Sequence, residues 1–550
     1  MTIELELSPK EDRIWLKSPY SPQTVDKCKL AGGSWAKSVR RWTFPVDLDK
    51  CKELREQFPD LVVGPNLTRW AWREIEKRDT LGTISALDPT KPVDLPNVRE
   101  LAPNIWVAMC ERSYQTVASA FGVQAQRWYN GDDPGLGKTI ETFGALIEGA
   151  HFGRWLIVAP STSVVATWGP ELERWVAPNF NMRVWMPGVK WLGKGTAREA
   201  TATERNAELD DYRANSDQYD IAVCLVNAEM VRTQRADGVT THNFLQLFAI
   251  EWDAMVGDEV HKYLLNIGGK KPSQVALGFD KLRTTENAMV VALSGTPMKG
   301  RPRNLWGGFH WLRPATYTSR WGWMEKRLVS VENSYAQSGK TFTDKILPSK
   351  MTDYEEELAA IMIRRTKDSL YLVNPGWAPP PKMHEVVWLP MTPKQRKIYD
   401  ALSRKKEILL GEARLAPKGH LAMDIRLQQL ACCAGRMQLD EYEEDAAYVP
   451  EMPSNKLDWL MGTMLPSKGI TGDADLDDGT DKVVVASQYT KFINLWADEL
   501  RRCGINCHIL TGQTNIGARA KMVEDFQSDN METRVMLINT QAGGTSITLD

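Results

Sequence analysis

From about Val98 onward the chain alternates short apolar runs with helical segments, and this texture prescribes a parallel sheet flanked by helices. Residues 155–159, 221–226, 254–256 and 288–293 are predicted buried strands, each ending at polar residues. Ligands of an open parallel sheet sit beyond the carboxyl ends of its strands, so those polar residues are the first site candidates. A second series follows, with strands at 483–487, 507–510 and 535–538 and a helix from about Thr490 to Arg502 closed by Gly504. The expected fold class is α/β with parallel sheets.

At 550 residues the chain is several times longer than a typical domain of roughly 100–150 residues, which predicts two large lobes and something smaller. Residues 1–65 read as a small α+β domain, rich in tryptophan, with Ile14-Trp15-Leu16 and Arg40-Arg41-Trp42-Thr43-Phe44-Pro45. Residues 66–97 are expected to be a linker, 98–315 a first lobe, 316–380 a helical connector ending in Pro375, Pro379 and Pro380, and 381–550 a second, incomplete lobe. Residues 193–218, polar and without an apolar period, read as an exposed insertion.

Net charge of −2 excludes a protein that coats nucleic acid by bulk positive charge, so any such grip must come from local patches. The eight cysteines contain no C-x-x-C pair. Cys503, Cys507 and His508 flank an apolar strand with no matching second pair, so no transition-metal site is expected there. The acidic loop 473–481 has Asp478 where a calcium loop needs glycine and Val484 where it needs glutamate, so it reads as a solvated loop. The first ten residues lack a secretory pattern, and no apolar run approaches the roughly 20 residues of a membrane span.

Residues 132–139 read Asp-Asp-Pro-Gly-Leu-Gly-Lys-Thr. Gly135 and Gly137 permit backbone conformations closed to other residues, so successive amides can turn toward the oxygens of a polyphosphate. Ile140, Phe143, Leu146 and Ile147 recur at helical spacing behind them, so a helix N-terminus faces the same phosphates. Lys138 would neutralise the outer phosphates, and Thr139 would offer its hydroxyl to a magnesium ion. Asp258 and Glu259 follow the apolar strand 254–256. Adjacent acids are commonplace on a solvated surface, but after a buried strand and with a phosphate turn upstream they read as a pair at one sheet edge. Asp258 would then hold the metal, and Glu259 would orient or deprotonate the attacking water. Ser294-Gly295-Thr296-Pro297 ends another strand, and its hydroxyls suit a segment coupled to the phosphates; alone, it could equally be a tight turn. Gln115 can both donate and accept, as recognition of an adenine edge requires.

Taken in order and spacing, Tyr114-Gln115, Asp132 to Thr139, Val158-Ala159-Pro160 with Trp168, Asp258 to His261, Ser294 to Pro297 and Ile363-Arg364-Arg365-Thr366-Lys367 resemble the Swi/Snf-type ATPases of helicase superfamily two. Ser487 to Thr490, Leu510-Thr511-Gly512 with Arg519 and Phe526, and Thr540-Gln541-Ala542-Gly543-Gly544 resemble the carboxyl-lobe motifs of that family. The resemblance implies two RecA-like lobes that bind ATP and magnesium. It implies nucleotide contacts from Gln115, Asp133, Gly135, Gly137, Lys138, Thr139, Ile140, Asp258 and Gly543. Coupling falls to His261, Ser294, Gly295 and Thr296, and contacts to the DNA backbone to Pro160, Ser161, Asn227, Gln488 and Thr540. The amino-terminal unit and Arg301-Pro302 resemble the annealing-helicase branch, whose recognition module is called HARP, although a Trp-Phe cluster also serves as the core of a small β unit.

Ser546 and Thr548 stand where the family has Gly and Asn, and Gly257 replaces an apolar residue. The chain stops at Asp550, before the family's last motif and its arginine, so a fragment of a longer protein is expected. The resemblance thus implies a DNA-dependent ATPase that translocates on double-stranded or branched DNA in remodelling, annealing, repair or recombination, alongside replication or repair proteins. No oligomer is indicated, and the expected compartment is a bacterial or phage-infected cytoplasm, or the nucleus for a eukaryotic source. An ATP-clamped binding module with little turnover, and an RNA- or polymerase-directed motor, are the competing readings.

Overall fold

The structure is a computed structural model. It describes residues 3–540 apart from 194–195, 237–238, 266, 268–271, 334–339, 412–416, 438–447, 474–476, 478 and 529–531. The chain forms two compact units, the first comprising Met1–Val164, Trp168–Lys190 and Ala200–Pro379 and the second built on Pro380–Asp550.

The first unit is organised by a seven-stranded sheet in the order Met362–Ile363, Arg127–Asn130, Arg283–Leu293, Glu251–Gly257, Gly153–Ala159, Ile221–Asn227, Met182–Trp185. Every pairing in it is parallel. The central strands are apolar along their length because both faces are covered; Ile221 to Val226 are all buried. Leu156 and Val158 share a core with Trp185, Tyr212, Trp252, Trp306 and Phe309, where Trp185 meets Tyr212 edge to face at 5.0 Å.

Three expectations about the organisation change. The segment read as an exposed insertion contains a helix, Ala202–Asn215, begun by a capping box between Thr201 and Glu204. Its Leu209 and Tyr212 are fully buried, and the Tyr212 hydroxyl donates to the Ala222 carbonyl at 3.1 Å. Two apolar anchors in a polar helix leave too weak a period to detect. The segment read as a linker is mostly a 21-residue helix, Pro65–Ser85, whose Lys77 Nζ donates to Ala125 O at 2.8 Å. The segment read as a helical connector holds an antiparallel hairpin, Leu328–Glu332 with Lys340–Ile346, and then the edge strand Met362–Ile363 of the main sheet. The first lobe therefore extends well past residue 315.

The amino-terminal residues form a five-stranded sheet that buries Leu5, Leu7, Ile14, Leu16, Trp42 and Phe44 on one face. It is fastened to the rest of the first unit through Val46, whose N–H donates to Ala315 O at 3.1 Å and whose carbonyl accepts from Thr316 Oγ1 at 2.8 Å.

The second unit contains a three-stranded parallel sheet, Val483–Ser487, Val535–Asn539, Cys507–Leu510 in spatial order. The helix Thr490–Arg502 covers it with Phe492, Ile493, Trp496, Ala497 and Leu500. Gly504, at φ +79°, turns the chain out of that helix.

Candidate active site

The phosphate turn leaves the sheet after Asn130, and the helix Lys138–Glu148 begins where it ends. Gly135 and Gly137 hold φ of +82° and +93°, conformations that disfavour side chains. Space excludes them too at Gly137, where a Cβ would come within 2.2 Å of Gln115 Nε2. The Leu136 carbonyl accepts from Gln115 Nε2 at 2.9 Å and from the Tyr114 hydroxyl at 3.0 Å, so Gln115 supports the turn directly. Lys138 Nζ donates to Asp132 O at 2.9 Å and Asp133 O at 3.3 Å, which folds its ammonium across the loop. Thr139 is half-buried in the first helical turn, and Ile140 is buried beneath Gly137. Asp133 differs from expectation. Its Oδ2 accepts the Lys367 N–H at 3.0 Å and its Oδ1 lies 3.7 Å from Arg364, so the carboxylate serves the 364–367 segment.

The acid pair stands at the same sheet edge. Asp258 N–H donates to Val158 O at 2.8 Å, and Asp258 Oδ2 accepts from Trp168 Nε1 at 3.1 Å. Burial pushes the Asp258 carboxyl up to about 6, against the opposing pull of the Trp168 hydrogen bond and the Lys138 charge. Glu259 adopts φ +51°, a left-handed conformation that a non-glycine residue holds only at a cost. Burial alone would raise its carboxyl, but His261, Lys262 and Lys138 together hold it below the usual range. The parallel register of Asn130 with Leu293, and of Ala292 with Gly257, puts the turn and the acid pair on one edge of the sheet. Glu259 Oε2 is buried and lies 3.0 Å from His261 Nδ1, the contact through which the imidazole holds its carboxyl low. That ring nitrogen lies 2.7 Å from Ser294 Oγ, which in turn accepts the Thr296 N–H at 3.1 Å. Gly295 packs so closely on the turn that a Cβ there would meet Pro134 Cγ at 2.7 Å. His261, Ser294, Gly295 and Thr296 therefore form one contiguous path from Glu259 to the turn. Thr139 Oγ1 and Asp258 Oδ1 are the oxygen donors suited to magnesium, a hard cation.

Comparison with known proteins decides the family. The SNF2-related domain matches residues 123–436, and the helicase conserved C-terminal domain matches residues 468–550. The chain belongs to the SNF2-related family, the Swi/Snf-type ATPases of helicase superfamily two. Among its relatives, human chromodomain-helicase-DNA-binding protein 8 is 24% identical over 450 residues, covering 77% of this chain and 15% of that protein. Human SWI/SNF-related matrix-associated actin-dependent regulator of chromatin subfamily A member 1 is 23% identical over 426 residues, covering 76% and 35%. This SNF2-related chain thus spans only a minor part of those relatives. The solved Sulfolobus solfataricus SWI2/SNF2 ATPase core in complex with dsDNA aligns with 82% of this chain and 80% of that one, at 18% identity and a TM-score of 0.33.

The remaining candidates of the SNF2-related chain fall at strand ends in each unit. Pro160 and Ser161 follow Gly153–Ala159, and Asn227 ends the neighbouring strand in register with Ala159. Asn227 Oδ1 caps the next turn by accepting Met230 N at 3.2 Å. In the second unit Gln488 and Thr540 follow the paired strands Val483–Ser487 and Val535–Asn539, and Asn539 Nδ2 donates to Gln488 O at 3.2 Å. Gly543 lies outside the described residues. Two contributors had no role assigned from sequence. Trp168 holds Asp258, and Glu141 lies fully buried beside the turn. Glu141 was discoverable, because the small and apolar residues around it leave its helix no solvent face.

Proposed function

We propose that this SNF2-related chain is a DNA-dependent ATPase that translocates on double-stranded or branched DNA and acts in remodelling, annealing, repair or recombination. The observation that carries the reading is that the turn 132–139, Asp258–Glu259 and Ser294–Thr296 leave the carboxyl ends of neighbouring parallel strands, with Gly295 packed on Pro134 and Glu259 Oε2 beside His261. The turn 132–139 binds the β- and γ-phosphates of ATP through backbone amides and Lys138. Thr139 and Asp258 would hold magnesium, which would supply neutralisation of the charge on the phosphates. Glu259 orients a water in line with the γ-phosphorus and takes its proton; its carboxyl, held low, is ionised and ready near neutral pH. His261 and Ser294 fix Glu259 and relay its state to Thr296, while Gly295 keeps that segment against Pro134. Pro160, Ser161 and Asn227 in one unit, and Gln488 and Thr540 in the other, meet the DNA backbone without reading bases.

The amino-terminal sheet supports a HARP-like recognition role. Arg41 stacks over Trp15 at 5.0 Å and Trp35 is half-exposed, a cation-aromatic surface suited to nucleic acid.

The test is phosphate release with duplex DNA, forked DNA and RNA as activators. Lys138→Ala and Glu259→Gln abolish the DNA-stimulated rate if the assignment holds. Undiminished release in both variants refutes it, and stimulation by RNA alone redirects the substrate class.

A further inference from the structure

Arg365 is distant from the phosphate turn in sequence and adjacent to it in space. Beyond the edge strand Met362–Ile363 the chain continues to pair with residues 131–133. Gly131 N donates to Ile363 O at 2.8 Å, Arg364 Nη1 to Gly131 O at 2.8 Å, and Asp133 N to Arg365 O at 3.1 Å. Arg365 itself turns inward. Its N–H donates to Asp132 Oδ1 at 2.7 Å, its Nε to Asp132 Oδ2 at 2.9 Å, and its Nη2 to Glu141 Oε1 at 2.8 Å; Nη2 also reaches Asp132, and Nη1 the carbonyl of Tyr114. Asp132 and Glu141 are fully buried, and Asn130 Nδ2 donates to the other Glu141 oxygen at 2.6 Å.

One guanidinium therefore joins the start of the phosphate turn, the first turn of the helix behind it, and the residue preceding Gln115. Two buried carboxylates around a single cation are a poor device for stability alone, because desolvating the charges offsets most of their attraction. They are a good device for geometry, since the planar fork fixes the direction of every bond it makes.

We propose that Arg365 is a positioning residue for the phosphate turn, locking it to the chain that leaves the first sheet toward Pro379. ATP binding and hydrolysis depend on this residue although it touches neither substrate nor metal. The inference rests on the assignment of residues 132–139 as the ATP cradle.

The test measures binding of a fluorescent ADP analogue, DNA affinity without nucleotide, and melting temperature, on the full chain. Arg365→Lys keeps the charge and loses the fork, and Asp132→Asn keeps the shape and loses the charge. Each is expected to weaken nucleotide binding by about tenfold or more while DNA affinity stays at the wild-type value. The double variant loses no more than the worse single one, because both break the same linkage. Wild-type nucleotide affinity in folded Arg365→Lys, or in Asp132→Asn should the lysine variant not fold, overturns the proposal. Equal loss of nucleotide and DNA binding also overturns it, since that marks a general structural role. Failure of the unaltered protein to bind the analogue overturns the ATP assignment instead.

Discussion

At the scale of single residues, Asp258 carries the conflict that chemistry imposes on the fold. Its carboxyl is raised to about 6 by burial, above an ordinary value of about 3.9. A carboxyl raised in the folded state lowers stability at every pH above its folded value, and the penalty fades as pH falls from about 6 toward about 4. Asp258→Asn is therefore expected to melt higher than the parent at pH 7.5, by an increment that shrinks at pH 5, and to lose ATP hydrolysis at both. Melting curves at the two pH values, read beside phosphate release, check this. Protons and magnesium compete for Asp258, so at low magnesium the parent should lose hydrolysis as pH falls, and added magnesium should shift that loss to lower pH. Gly137 makes a second point. Its φ of +93° and the 2.2 Å approach of Gln115 leave no room for a methyl group, so Gly137→Ala is expected to weaken nucleotide binding by about tenfold or more in an equilibrium titration. The placing of Gly135, Gly137, Lys138 and the adjacent acids just beyond strands was legible because glycine turns and apolar runs are written in the sequence itself. The joining of Asp132 and Glu141 by Arg365 was not, because only tertiary structure brings that guanidinium to them, even though the apolar company of Glu141 in its helix marks it as buried.

At the scale of elements, legibility followed the length of the apolar run. The strands Gly153–Ala159, Ile221–Asn227 and Val535–Asn539 sit close to where continuous apolar sequence puts them, since a strand buried on both faces has no polar residues to dilute its signal. Met362–Ile363 has two residues and no period at all; its place at the sheet edge is set by pairing with Arg127–Asn130. The helix Ala202–Asn215 escaped because its charged surface outweighs Leu209 and Tyr212. Here the two readings differ measurably. Leu209→Ala should cost about 2–5 kcal/mol in urea unfolding if the side chain fills the core, whereas an exposed insertion would lose within about 0.5 kcal/mol.

At the scale of the molecule, the amino-terminal sheet is built into the first unit rather than strung from it. The helix Pro65–Ser85 places Leu67 in the small core and Leu81 in a fully buried position, while Arg313 pairs with Glu74 at 3.3 Å and Lys326 with Glu53 at 3.2 Å. The first 64 residues should consequently unfold together with the ATPase sheet, and calorimetry should show no separate early transition for them. A low-temperature transition that vanishes when those residues are deleted would show that they are tethered only loosely.

Lys138 donates to two carbonyls of its own loop. In the proposed cradle a phosphate would find one N–H of that ammonium unspent and would have to displace a carbonyl to gain more, so capture would cost the loop part of its own bonding. Such a loop would favour a polyphosphate, which reaches the ammonium and several amides of the turn at once, over a single phosphate, which reaches fewer of them. A preference for triphosphate over inorganic phosphate would then follow from how the loop holds itself.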